Sequence, residues 1–219
     1  MKNNKGLSGE AYSKFKDALL TRKIALGTMM SQSDLAETLQ VSVSPLRDAL
    51  KILESEGFVT ILPRSGIKIA EPDIDLIKNT YQLRKIIEEP ALLKYAEQVS
   101  MSELEEFRQT HLMILEKAKV SNLETVSLFV EARGLDVKLH ERIVQALDNP
   151  IINNIYKTNQ ERGLLVRLRL NKTATLHYVN ITLCEHLEIL DALIAGDVDG
   201  ARRALTNHLD KAVQRSMGF

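Results

Sequence analysis

Asp136 and His140, in the run GLDVKLHERI, stand four residues apart in a segment whose positions Leu135, Val137, Leu139 and Ile143 are apolar. In a helix that spacing puts both side chains on one face, where a carboxylate oxygen and an imidazole nitrogen can bind one divalent ion. His186 and His208 flank the turn-forming stretch IAGDVDG, each about eleven residues from its midpoint near Asp197. In antiparallel helices rising ~1.5 Å per residue, equal distances from the turn bring the two imidazoles to one level. The four residues can therefore form a site of three nitrogens and one carboxylate oxygen inside a helical bundle. Such a set suits a divalent metal ion, Zn2+ first, with Ni2+ or Mn2+ as alternatives. Taken singly, each residue has a plainer reading: Asp136 and His140 as a helix pair, His186 as a partner of Glu185 or Glu188, His208 as a surface residue.

A second group of residues suits contact with a polyanion. In VSVSPLRDALKILESEG, Ser44 is a good N-cap, Pro45 suits the first helical position, and Gly57 supplies the stop. Leu46, Ala49, Leu50 and Leu53 form the buried stripe. The hydroxyls of Ser42 and Ser44 at this helix start can bond phosphates, Arg47 can reach a guanine edge bidentately, and Lys51 adds a phosphate contact one turn on. The cluster PRSG offers Arg64 to an adjacent groove, with Gly66 letting the backbone come close to DNA. The alternative is that Arg47 and Arg64 are ordinary solvated charges on a small bundle.

The elements that must position these groups follow from periodicity. Residues 11–24 place Tyr12, Phe15 and Leu19 on one helical stripe. Ser31, followed three residues later by Asp34, forms an approximate capping box for a short helix burying Leu35, Ala36 and Leu39. FVTIL and IKIA, separated by PRSG, read as a two-stranded hairpin that must pack on the helices before it. Three helices and a hairpin make a winged helix-turn-helix, whose third helix would enter the major groove. From Asp73 onward helical periodicity runs almost throughout, broken at VSMSEL, KVSNLE, LDNP, around LNKTAT and at IAGDVDG, which yields about six helices. Pro90 should kink or split the first of them after Glu88 or Glu89. The fold class is thus mainly α: a winged helix-turn-helix in residues 1–72, then an all-α antiparallel bundle in residues 73–219.

The 219 residues carry 29 Lys and Arg against 29 Asp and Glu, so net charge alone argues for no polyanionic partner. No apolar run approaches a membrane span and the polar start MKNNKGLSGE lacks a secretory signal's apolar middle, so a cytoplasmic protein with no membrane partner is expected. The one cysteine, Cys184, is expected to be a buried small apolar residue.

The stretch SDLAETLQVSVSPLRDALKILESEGFVTILPRSGIKI resembles the DNA-binding domain of the GntR family, whose recognition segment reads V-S-R-T-P-V-R-E-A-L before a leucine-rich helix, G-L-V and a wing ending in glycine. The likeness covers about the first 70 residues and includes LGTMMSQSDLA. It implies that Ser31, Gln32, Ser42, Ser44, Pro45, Arg47, Lys51, Arg64 and Gly66 lie at the DNA. Members often carry arginines where this chain has Ser33 and Val43, so fewer charged contacts and a shallower salt dependence are expected. Residues 73–219 resemble the FadR-type effector domain, called FCD, in QLRKIIEEPALLKYA, DVKLH and CEHLEILDALIAGDVDGARRALTNHL. Its ligand set carries over to Asp136, His140, His186 and His208, and Arg84 matches an arginine that can meet the carboxylate of a small acid. A salt bridge to Glu88 is the competing reading of Arg84. His111, His177, Arg167 and Arg169 have no place in the matched set and read as helix-face residues.

The resemblance implies a homodimeric transcription regulator of the FadR subfamily, not an enzyme, acting as a repressor on double-stranded operator DNA. A small organic acid at the metal would modulate it. Two other readings compete: a sensor for which the metal itself is the signal, and a metal-dependent hydrolase or lyase, since open positions on a metal also activate water.

Overall fold

Apolar spacing accounts for the first three helices. In the computed structural model, which describes residues 2–120, 126–169 and 172–218, helix α1 spans Lys2–Leu20 and buries Ala11, Phe15, Ala18 and Leu19. Helix α2 (Gln32–Leu39) starts at an N-cap, Ser31, whose hydroxyl accepts from the Asp34 backbone N–H at 3.1 Å. That bond satisfies one of the helix's orphan donors and contributes about 1 kcal/mol. The helix stops at Gln40, in the left-handed region with φ 53°. After a three-residue turn, helix α3 runs over Val43–Ser55 and buries Pro45, Leu46, Ala49, Leu50 and Leu53.

The cap of α3 differs from expectation: Ser42, not Ser44, is the N-cap, and Pro45 is the third helical residue. The substitution of roles is harmless, because none of the first four N–H groups of a helix has an intrahelical partner for proline to remove.

The hairpin forms as expected, with β2 (Val59–Leu62) antiparallel to β3 (Gly66–Ile69) in the register Val59 to Ile69 and Leu62 to Gly66. A further strand, β1 (Met29–Met30), pairs with the other edge of β3, so the sheet has three strands in the order β1-β3-β2. Alternation sends Ile67 and Ile69 into the core and leaves Lys68 outside. Together with Phe58, which meets Phe15 edge-on at 6.4 Å, they close the first apolar cluster.

Among the described residues six further helices follow: α4 (Ile74–Gln98), α5 (Met101–Val120), α6 (Val126–Gln145), α7 (Pro150–Leu168), α8 (Lys172–Ile194) and α9 (Val198–Met217). Pro90 does not split α4, which continues for 25 residues. The carbonyl its ring leaves without a donor is that of Ile86, on a side where Ile86 is 63% exposed and water can reach it. The break expected at KVSNLE falls largely on residues 121–125, and that near LNKTAT on residues 170 and 171; both lie outside the described residues.

By compactness the chain divides into two units, Met1–Asp73 with Leu164–Arg169, and Ile74–Gly163 with Leu170–Phe219. The core of the first includes Leu164, Leu165 and Leu168. The second buries Leu92, Tyr95, Leu139, Ile143, Ile189, Leu190, Leu205 and Leu209. No described helix is long and apolar enough to cross a membrane.

Candidate functional site

The second unit buries an unusual quantity of polar chemistry: Arg84 and Glu88 on α4, His111 on α5, Asp136 and His140 on α6, Glu185 and His186 on α8, and His208 on α9. Asp136, His140, His186 and His208 each offer a ligand atom, and these atoms all lie within 4.8 Å of one another. The mirrored spacing about IAGDVDG does bring His186 and His208 together, with ring centroids 4.7 Å apart. His140 stacks on His208 at 5.2 Å. The plainer reading of His208 as a surface residue fails, since it is 2% exposed, whereas Asp136 and His140 do pair along their helix at 3.8 Å, inside the same buried cluster as His186.

Each ring is held by an outer partner, and those partners fix where the protons sit. His140 Nδ1 lies 2.7 Å from Glu88 Oε2. A carboxylate only accepts, so Nδ1 carries a proton, and in the neutral ring Nε2 is then the lone-pair nitrogen. Burial alone would raise the Glu88 pKa, but the Arg84 guanidinium and His140 outweigh it and hold the carboxyl at about 2. Glu88 also accepts from Arg84 Nε at 2.5 Å and from the Tyr156 hydroxyl at 2.6 Å.

The same pattern recurs at His208, whose Nδ1 donates to Glu185 Oε2 at 2.8 Å. Glu185 is clamped bidentately by Arg215, with both contacts at 2.7 Å. Burial would again raise its pKa, but the bonds from His208 and Arg215 bring it to about 2. His208 Nε2 is buried and, among the described residues, has no hydrogen-bond partner.

His140 Nε2 and His186 Nε2 lie 3.2 Å apart, and Asp136 Oδ1 lies 3.8 and 3.5 Å from them. Two ligand atoms each about 2.1 Å from one ion, at about 100°, would be about 3.2 Å apart. Burial lowers the His186 pKa well below its ordinary value and brings that of His208 to about 4, so both are neutral near pH 7. Imidazole nitrogens turned inward beside a carboxylate are the donor set a divalent cation needs. The residues therefore fit a metal ion.

Arg84, expected at an effector, is 6% exposed and engages Glu88, which is the competing reading of that residue. His111 overturns its reading as an uninvolved helix-face residue: it is fully buried, with Nε2 3.2 Å from His186 Nδ1. The side chain of His177 lies outside those described. Cys184, expected to be buried, is exposed.

In the first unit Ser31, Ser42, Ser44, Arg47, Lys51 and Arg64 are exposed and Gln32 is half-buried. Ser42, Ser44 and Arg47 share the first turn and a half of α3; Lys51 lies 3.5 Å from Asp48. Arg64 occupies the hairpin tip with φ 65°. Pro45, by contrast, faces the core. Gly66 has a structural requirement of its own, because a Cβ there would stand 2.6 Å from the Met30 carbonyl oxygen.

Residues 7–69 match the bacterial regulatory proteins of the gntR family, and residues 79–211 match the FCD domain. The chain belongs to the GntR family. This regulator is 27% identical over 201 residues to an HTH-type transcriptional regulator in an unstable DNA locus of Streptomyces ambofaciens, covering 91% of its own length and 80% of the relative. It is 25% identical to the HTH-type transcriptional repressor RspR of Escherichia coli strain K12, over 86% of this chain and 79% of that one. Its fold is similar to that of a GntR protein from Rhodococcus sp. RHA1, with a TM-score of 0.76 at 19% identity over 100% and 99% of the two chains. E. coli McbR/YncC is similar too, with a TM-score of 0.73 at 18% identity over 96% and 97%. GntR regulators bind operator DNA, and FCD is their effector domain.

Proposed function

We propose that this regulator is a repressor of the FadR subfamily, a cytoplasmic homodimer whose hold on a palindromic operator is modulated by a small organic acid at a metal in the FCD domain. Its domains on this reading are residues 1–72 for DNA and residues 73–219 for effector binding and dimerisation. The observation that carries the metal is the convergence of three imidazole nitrogens and one carboxylate on a single buried point, with His208 Nε2 otherwise unserved. Asp136, His140, His186 and His208 hold the ion, Zn2+ before Ni2+ or Mn2+. The ion supplies a Lewis-acidic centre for a carboxylate. Arg84 is engaged by Glu88, so an acid reaching the metal meets that guanidinium only by competing with Glu88.

On the DNA side, Ser42, Ser44, Arg47 and Lys51 of α3 face the major groove and its phosphates, Ser31 and Gln32 the flanking backbone, and Arg64 the groove beside it. The repressor role is supported by relatives that bear that description. Two-fold symmetry of the dimer matches a two-fold operator. Ile151, 71% exposed, and Ile155, 47% exposed, lie one turn apart on α7 and offer an apolar surface of the kind a second copy covers.

A second reading, metal as the signal itself, is favoured by the near-complete burial of all four ligands. Operator binding measured by mobility shift while metal and a panel of small acids are titrated separately distinguishes them. Release by acids only with metal present supports the first; release on metal removal alone, with no response to any acid, supports the second. In the same assay Arg47→Ala is expected to lose specific binding with its helical content unchanged, and an unaltered shift would remove α3 from the interface.

A further inference from the structure

The side chain left over from the ligand set is His111. It lies on α5, an element that contributes none of the four ligands, yet it is fully buried and its ring stands 5.3 Å from that of His186, edge-on at 78°. Its two nitrogens are both engaged. Nδ1 is 2.7 Å from the backbone carbonyl oxygen of Phe107, one turn earlier on the same helix. A carbonyl oxygen can only accept, so Nδ1 carries the His111 proton.

The consequence passes along a chain of two bonds. With the proton on Nδ1, a neutral His111 presents a lone pair at Nε2, 3.2 Å from His186 Nδ1. That lone pair can only accept, so His186 is held with its proton on Nδ1 and its Nε2 bare, facing Asp136 and His140. His140 and His208 obtain the same tautomer from carboxylates, Glu88 and Glu185. Among the described residues no carboxylate bonds His186 Nδ1; His111 does for it with a neutral acceptor what the two glutamates do for the others.

Resting on the reading of the four residues as a metal site, we propose that His111 is a positioning residue of that site: it relays the Phe107 carbonyl to His186, fixing the tautomer and ring orientation in which His186 Nε2 binds the ion. A neutral relay also differs from a carboxylate in adding no negative charge behind the metal. Two carboxylates already stand in the outer shell and a third in the ligand set, so a neutral partner holds the third ring without a further anion to desolvate.

The test uses the full-length protein stripped of metal and titrated with Zn2+ against a chromogenic chelator. Wild type is expected to take up one equivalent, His111→Leu to bind it roughly 10- to 100-fold more weakly, as loss of an outer-shell partner does. His111→Gln, whose side-chain carbonyl can accept from His186 Nδ1 near the position of the lost Nε2, is expected to recover most of that difference. Wild-type affinity in His111→Leu, or equal losses in the Leu and Gln variants, would overturn the relay and leave the metal site standing. Failure of wild type to bind Zn2+, Ni2+ or Mn2+ would instead overturn the metal site itself. A measurement independent of any variant's folding is the imidazole nitrogen shifts of the metal-free wild type: His186 protonated on Nδ1 is expected, and protonation on Nε2 would refute the relay.

Discussion

Three imidazoles with centroids within 5.2 Å of one another can share a buried space only if they stay neutral or surround a cation. That constraint makes the individual ligands unequal to their neighbours in a measurable way. Removing an outer-shell partner costs roughly 10- to 100-fold in metal affinity. Glu185→Gln is therefore expected within that range, whereas His208→Ala, which deletes a ligand, is expected to exceed it; chelator competition measures both. Equal affinity in His208→Ala and wild type would mean that metal binds elsewhere. The convergence of Asp136, His140, His186 and His208 was legible because their spacing follows helix geometry: four residues on α6, and equal distances either side of one turn. His111 was not, because its partners are a backbone carbonyl and a residue 75 positions away, neither of which leaves a periodic mark. Cys184 and Glu185 exchange the places that composition suggests. Glu185 turns inward because His208 and Arg215 satisfy its carboxylate there, and its neighbour Cys184 is left at the surface.

At the scale of elements, the helices were easier to read than the sheet. Breaks near 99, 147 and 195 match the junctions α4/α5, α6/α7 and α8/α9 closely, since each helix needs a stripe wide enough to show, while those near 120 and 170 fall on residues outside those described. Strand β1 has only two residues, Met29 and Met30, too short to display alternation, and it forms because β3 has a free edge to pair with. Its presence explains Gly66. That residue has φ 114°, and a Cβ would stand 2.6 Å from the Met30 carbonyl oxygen, so both the conformation and the close approach of β1 exclude a side chain. Gly66→Ala is expected to destabilise the first unit by about 2 kcal/mol, combining backbone strain with a displaced strand. Urea unfolding followed by a probe in residues 1–73 measures it. A loss below about 0.5 kcal/mol would mean that β1 shifts at little cost, and the glycine would then be free to answer to DNA as first expected.

For the whole molecule the decisive quantity is charge. With 29 cationic and 29 anionic side chains the regulator has no net attraction for a polyanion, so its affinity for DNA must come from a few local groups. The α3 face supplies only Arg47 and Lys51, with the uncharged Val43 and Ser44 at its start. Each phosphate contact releases counterions and contributes about one unit to the slope of log K against log salt. Lys51 is exposed and shares its charge with Asp48 at 3.5 Å, a surface pair worth little, so DNA can draw it away. Lys51→Ala is therefore expected to weaken specific and non-specific binding alike and to flatten the salt slope by about one unit. Arg47→Ala should instead erase the preference for the operator over random DNA. Binding isotherms at several salt concentrations on both kinds of DNA separate the two effects. If Lys51→Ala abolished operator preference while leaving the slope unchanged, the roles of the two residues on α3 would have to be exchanged.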